Sequence, residues 1–121
     1  MRTHNFQELK VWQKGRELVK DVYSLTKALP KEELFGLTSQ MRRAVVSIPS
    51  NIAEGCGRGT DKQLALFIDY AVASSCELFT QLLLCVDVGY LTKENISISL
   101  DKIQEIQKMC ASFKNMLKNN D

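Results

Sequence analysis

Histidine is nearly missing from this sequence: His4 is the only one in 121 residues, and it precedes every helical pattern. The inward carboxylates and Glu-x-x-His pairs of a di-iron or di-manganese bundle are therefore not encoded, and neither a metal nor another cofactor is expected. Proline occurs only at positions 30 and 49 and glycine six times, which leaves long stretches free of helix breakers. The four cysteines, Cys56, Cys76, Cys85 and Cys110, form no C-x-x-C pair and read as reduced, buried thiols. No apolar run approaches the ~20 residues of a membrane span, and no signal peptide precedes Leu9. A cytoplasmic protein with no membrane partner is the expectation. Strand-type alternation is absent as well, and so is a phosphate loop of the form G-x-x-x-x-G-K-[ST].

Charge of one sign is also scarce. Sixteen basic and fourteen acidic residues leave a formal net charge of +2, too even a balance to imply nucleic-acid binding by itself. The distribution is less even. Residues 1–31 are mostly basic, whereas residues 60–91 carry Lys62 against Asp61, Asp69, Glu77 and Asp87, which predicts a polarised surface.

What is present is helical periodicity over the whole length, read as one domain, residues 1–121. Val11, Gly15, Leu18, Val22 and Leu25 recur at spacings of three and four, flanked by Trp12 and Val19, and predict a first helix over about residues 7–28. Arg16, Lys20 and Lys27 fall on its opposite, basic side. A second helix over 37–55 places Leu37, Met41, Ala44, Val45, Ile48 and Ile52 on one arc, with Gln40, Arg43, Ser47, Asn51, Glu54 and Arg58 as a polar stripe. Pro49 removes the hydrogen bond to the Val45 carbonyl, so a kink is expected there, with Ser47 or Ser50 satisfying the freed group. Gly55, Gly57 and Gly59 are read as breaking this helix, and Thr60-Asp61-Lys62-Gln63 as a capping box that starts the next.

The third helix, 60–88, carries the core stripe Leu64, Phe67, Ile68, Ala71, Ser75, Leu78, Leu82 and Val86, and Gly89 ends it. Leu66, Tyr70, Ala73 and Leu84 lie on its other side, with Glu77 among them. A helix apolar on both sides is covered on both sides, so these four are candidates for an interface with further copies of the chain. Thr92 caps a fourth helix, 92–117, with Ile96, Ser99, Ile103, Ile106, Cys110, Phe113 and Leu117 at heptad spacing, and residues 119–121 are expected to fray. Four helices with short connections make an all-α, antiparallel up-down-up-down four-helix bundle.

No catalytic constellation emerges. Glu54 has no nucleophile or second titratable partner, and its spacing to Arg58 favours an ion pair that braces the second helix together with Ser47 and Asn51. Arg16, Lys20, Lys27, Arg42 and Arg43 are candidate phosphate contacts, joined by Arg58, which adjoins the start of the third helix. Trp12 and Tyr23 lie near the basic side and read first as packing residues.

The runs Leu9-Lys10-Val11-Trp12-Gln13, Leu37-Thr38-Ser39-Gln40-Met41-Arg42-Arg43-Ala44, Ser47-Ile48-Pro49-Ser50-Asn51-Ile52-Ala53-Glu54-Gly55 with Gly57-Arg58, and Gly89-Tyr90-Leu91 resemble the four-helix-bundle proteins encoded in intervening sequences of bacterial 23S ribosomal RNA genes. The resemblance spans about residues 6–117. It implies a protomer that assembles into a homopentameric ring or barrel, with no catalytic residues to carry over. A related branch, the accessory variability protein of diversity-generating retroelements, binds nucleic acid and a reverse transcriptase through a basic barrel surface. Ser47, Ile48, Pro49, Asn51, Ile52, Ala53, Glu54, Gly55, Gly57 and Arg58 match the family signature as structural positions, preceded by the paired Arg42-Arg43. Gly15, where relatives have Ala, is expected to cost up to about 1 kcal/mol without altering the fold. A non-enzymatic homo-oligomer that binds RNA or DNA weakly is the leading expectation, and a protein-interaction scaffold with no nucleic-acid role the second.

Overall fold

The apolar stripes fold into four long helices in a computed structural model that describes residues 4–119: α1 Lys10–Thr26, α2 Leu37–Cys56, α3 Asp61–Asp87 and α4 Lys93–Asn119. Short 3-10 turns at Phe6–Glu8 and Lys31–Glu33 precede α1 and α2, and the described residues contain no strand. Each helix packs on its two neighbours in the cycle α1, α2, α3, α4, and among the described residues neither diagonal pair brings Cα atoms within 8 Å. That is the all-α four-helix bundle expected. One core draws on every helix through Leu18, Val22, Met41, Ile48, Leu78, Leu82, Ile103 and Ile106 among others. Each such side chain contributes ~1.5–3 kcal/mol relative to being left in water.

The boundaries differ from the sequence reading for local reasons. The first helix starts at Lys10 because Leu9 is extended (φ −75°, ψ 125°), and Asn5 caps a separate turn by accepting from the Gln7 N–H at 3.1 Å. It ends at Thr26, whose hydroxyl folds back onto the Tyr23 carbonyl at 3.1 Å. Helix α4 runs on through Asn119, where fraying was expected, and residues 120 and 121 lie outside the described residues. Inside α3 the C-terminal core position is Cys85 rather than Val86, and the Cys85 thiol meets the Met41 sulfur at 3.5 Å. Cys56, Cys85 and Cys110 are buried free thiols, whereas Cys76, read as buried, is exposed.

The three glycines after Ala53 do different jobs, which corrects their reading as three helix breakers. Gly55 is buried within α2, and a Cβ there would lie 2.8 Å from Phe67 Cβ and 2.9 Å from Leu64 Cδ1. It is the place where the last turn of α2 lies directly on α3. Gly57 accepts a helical conformation as the C-cap, and only Gly59, at φ 94°, uses the left-handed freedom of glycine. Thr60 then caps α3 by accepting from the Gln63 N–H at 3.1 Å.

Gly15 is likewise a contact and not merely a weak helix former. Its Cα faces Pro49, and an added Cβ would sit 3.3 Å from Pro49 Cβ. Helix α2 runs unbroken past this buried proline. Neither serine satisfies Val45 as expected: Ser47 donates to the Ala44 carbonyl at 2.8 Å, and exposed Ser50 lines a surface groove. The Ser47 hydroxyl has one proton, so its short contact with the Ser74 hydroxyl makes Ser74 the donor there. Asn51 donates to the Ser47 carbonyl at 2.8 Å, so Ser47 and Asn51 do share a network, completed from α3 rather than by Glu54.

Candidate nucleic-acid interface

The basic residues of α1 and α2 meet because the small pair Gly15 and Pro49 lets the two helices approach closely. Arg16 and Lys20 line a groove of about 920 Å³ together with Trp12, Gln13, Val46 and Ser50. The Arg16 guanidinium lies over the Trp12 ring, 5.1 Å from its centroid, and Phe6 supports that ring edge-on at 5.2 Å. Such stacking is worth ~0.5–1 kcal/mol at exposed sites and leaves the N–H groups on the guanidinium rim free to donate. Glu17 supplies a carboxylate at one edge of the groove and is engaged by Lys14 and Lys102 at 3.9 and 3.5 Å.

A second groove of about 670 Å³ shares Val46 and Ser50 with the first and is lined by Tyr23, Leu34, Phe35, Arg42 and Arg43. Half-buried Arg42 is held in place: its Nε donates to Thr26 Oγ1 at 3.0 Å and its guanidinium lies 4.6 Å from the centre of the Tyr23 ring. Trp12 and Tyr23 are thus cation platforms as well as packing residues. Exposed Arg43 reaches the other flank of α2, where it lines a shallow pocket with Gln40, Ser47 and Glu77.

Arg16, Lys20, Arg42 and Arg43 therefore share one face, whereas Lys27 and Arg58 do not line these grooves. Arg58 falls beyond the end of α2, and its guanidinium lies over Phe67 at 5.0 Å. The expected Glu54–Arg58 ion pair is absent among the described residues because the helix stops at Cys56, between the two. Elsewhere three lysines are in ion pairs. Lys14 meets Glu105 at 3.6 Å and Lys102 meets Asp21 at 2.6 Å across the α1–α4 seam, and Lys114 meets Asp69 at 2.5 Å across α3–α4. Asp21 holds the Lys102 ammonium above its usual pKa range by accepting its hydrogen bond.

The apolar pair Leu34-Phe35 is the feature the sequence reading passed over, because the stretch read as a plain connector. Phe35 is 92% exposed, beside a tight turn fastened from the other direction by Glu33. Glu33 Oε1 accepts from the Leu37 N–H at 3.0 Å, capping α2, and Glu33 Oε2 accepts from the Tyr90 hydroxyl at 2.9 Å. These two bonds hold the Glu33 carboxyl below its usual pKa range, and the same carboxylate pushes the Tyr90 phenol up. Leu66, Tyr70, Ala73 and Leu84 are all exposed on α3, as their pattern predicts.

Among the described residues no group of three or more His, Cys, Asp or Glu side chains could hold a metal ion, and no helix is long and apolar enough to cross a membrane. The family profile described as "23S rRNA-intervening sequence protein" matches residues 7–112. A crystal structure of a protein with unknown function from the S23 ribosomal protein family of Bacteroides thetaiotaomicron VPI-5482 is similar in fold: TM-score 0.79, 24% identity, covering 86% of this chain and 97% of that one. No curated protein matches the chain.

Proposed function

This chain belongs to the 23S rRNA-intervening sequence protein family, and on that footing we propose that it acts as a non-enzymatic cytoplasmic homo-oligomer, pentameric in its closed form, that binds RNA or DNA through the α1–α2 face. The observation that carries the reading is the gathering of four unpaired cations on one face. Lys14, Lys102 and Lys114 are in ion pairs, whereas among the described residues Arg16, Lys20, Arg42 and Arg43 are in none and line adjoining grooves. Arg16 and Arg42, held on aromatic platforms, together with Lys20 and Arg43, are set to meet phosphates whatever the base sequence. One protomer offers few contacts, so a dissociation constant of roughly 10⁻⁴–10⁻⁶ M at physiological salt is expected per site, raised in avidity by assembly.

Anisotropy titrations with structured RNA and with duplex DNA over a salt series test this. Affinity should fall steeply with salt, and the double variant Arg16→Glu/Lys20→Glu should abolish binding while leaving helical content unchanged. Binding that is absent, or indifferent to salt, sinks the proposal. It would leave the second reading, a scaffold that meets proteins only, which the exposure of Phe35 favours.

A further inference from the structure

Phe35 is 92% exposed on a turn that hydrogen bonds fix from several sides. The Glu33 and Leu34 N–H groups donate to the Pro30 and Lys31 carbonyls at 2.9 and 3.0 Å, and the Gly36 N–H donates to the Glu33 carbonyl at 2.9 Å. The Glu33 carboxylate then fastens the turn to Leu37 and Tyr90. It passes where a side chain on residue 36 would stand, since a Cβ on Gly36 would lie 2.6 Å from Glu33 Oε1. A braced backbone thus holds the ring out in water, although burying it would be favourable.

Exposure alone would suit a protein partner as well as a base, and the groove that Phe35 borders decides between them. Arg42 and Arg43 are the charged residues that line it, with no carboxylate among the lining residues. Arg42 has its Nε on Thr26 Oγ1 and its plane on Tyr23, so the outer N–H groups of the guanidinium remain to donate. Arg43 also borders the pocket of Glu77, but among the described residues the two form no ion pair. In the turn itself exposed Lys31 and Glu32 offset each other in charge, and Glu33 is turned inward. A flat ring at the edge of a positively charged groove can take a base on its π face while a guanidinium takes the adjoining phosphate. Within a duplex both faces of a base are covered by its stacked neighbours, so only an unpaired base can lie on Phe35. We infer that Phe35 is a stacking platform for an unpaired base, and that the α1–α2 face accordingly prefers single-stranded nucleic acid to duplex. The inference rests on the nucleic-acid reading above and adds the kind of strand that is bound. Every base has a π face, so the preference is for strandedness and not for sequence.

Anisotropy titrations of the full chain and of two variants, with labelled single-stranded oligothymidine and labelled duplex DNA over a salt series, test this. Phe35→Leu keeps an apolar side chain but has no π face, whereas Phe35→Trp keeps the platform. The wild type should bind the single strand more tightly than the duplex. Phe35→Leu should weaken single-strand binding roughly 5- to 100-fold with its salt slope unchanged, because no phosphate contact is lost, and leave duplex binding within about 2-fold. Phe35→Trp should bind the single strand at least as tightly as the wild type. Circular dichroism and light scattering should find both variants folded and of wild-type particle size. Absence of salt-dependent binding to both probes overturns the nucleic-acid reading and this inference with it. Salt-dependent binding that favours the duplex, that Phe35→Leu leaves intact or weakens equally for strand and duplex, or that Phe35→Trp loses, overturns this inference alone. So does a change of particle size in Phe35→Leu, which would make Phe35 a contact between copies of the chain.

Discussion

The Tyr90 hydroxyl donates to Glu33 Oε2 at 2.9 Å, tying the α3–α4 turn to the carboxylate that caps α2. Glu33 is thus held from both sides, with its folded-state pKa below the usual 4.5. A depressed carboxylate stabilises the fold above its unfolded pKa, and that contribution is lost as pH falls through the folded value. Urea midpoints followed from neutral pH down through the carboxylate range should therefore decline in the wild type and decline less steeply in Glu33→Gln. Tyr90, with a raised pKa, contributes below its ordinary 10.0, and the contribution disappears as pH rises through its folded value. Tyr90→Phe should flatten that alkaline limb.

The two contact glycines should respond to alanine very differently. At Gly55 the new methyl group meets Phe67 Cβ and Leu64 Cδ1 inside 3 Å, and Phe67 Cβ belongs to the rigid base of its side chain. Gly55→Ala should cost ~1–3 kcal/mol net, the overpacking outweighing a propensity gain of up to ~1 kcal/mol. At Gly15 the nearest atom is at 3.3 Å, so Gly15→Ala should remain within ~1 kcal/mol of wild type. Denaturant midpoints of the two variants check the difference.

Arg42 and Arg43 are adjacent in sequence but separable by experiment. Arg42→Ala removes the Thr26 hydrogen bond and the Tyr23 stack, and should lower stability by ~1–2 kcal/mol. Arg43→Ala, exposed and without such partners, should stay within ~0.5 kcal/mol while weakening nucleic-acid binding and lowering its salt slope. Equal loss of stability in both would remove the distinction drawn between them.

Thiol reactivity should be confined to one of the four cysteines. Burial pushes the Cys56 and Cys85 thiols up and takes Cys110 to about 11, whereas Cys76 is exposed. A thiol reagent applied to the native protein should label one equivalent rapidly and the remaining three only on unfolding, and Cys76→Ser should remove the rapid phase.

Much of the architecture was legible because burial in a bundle follows the helical repeat, and Leu18, Ile48, Ile68 and Ile103 all fall where their spacing puts them. The four exposed positions on α3 were legible for the same reason. What escaped was set by contacts between helices. Nothing local distinguishes Gly55, which packs, from Gly59, which turns, since the difference lies in Phe67 and Leu64 on another helix. The Glu54–Arg58 pairing failed because helical spacing was extended past the true end of α2 at Cys56. Phe35 could have been noticed as an apolar side chain in a charged connector, although its exposure depends on how Glu33 anchors the turn. The basic face was legible as a set of residues, while its division into stacked, free and remote cations needed the aromatic rings in place.

The contact of Gly55 with Leu64 and Phe67 also bears on the order in which the chain finds its fold. It joins segments separated by one short turn, so closing it loses little chain entropy, whereas the α1–α4 seam through Lys102 and Asp21 brings together residues far apart in sequence. The α2–α3 hairpin is therefore the expected nucleus, with the seam zipping shut afterwards. In a chevron experiment Gly55→Ala should chiefly slow folding and Lys102→Ala chiefly hasten unfolding, and the reverse assignment would place the nucleus at the seam.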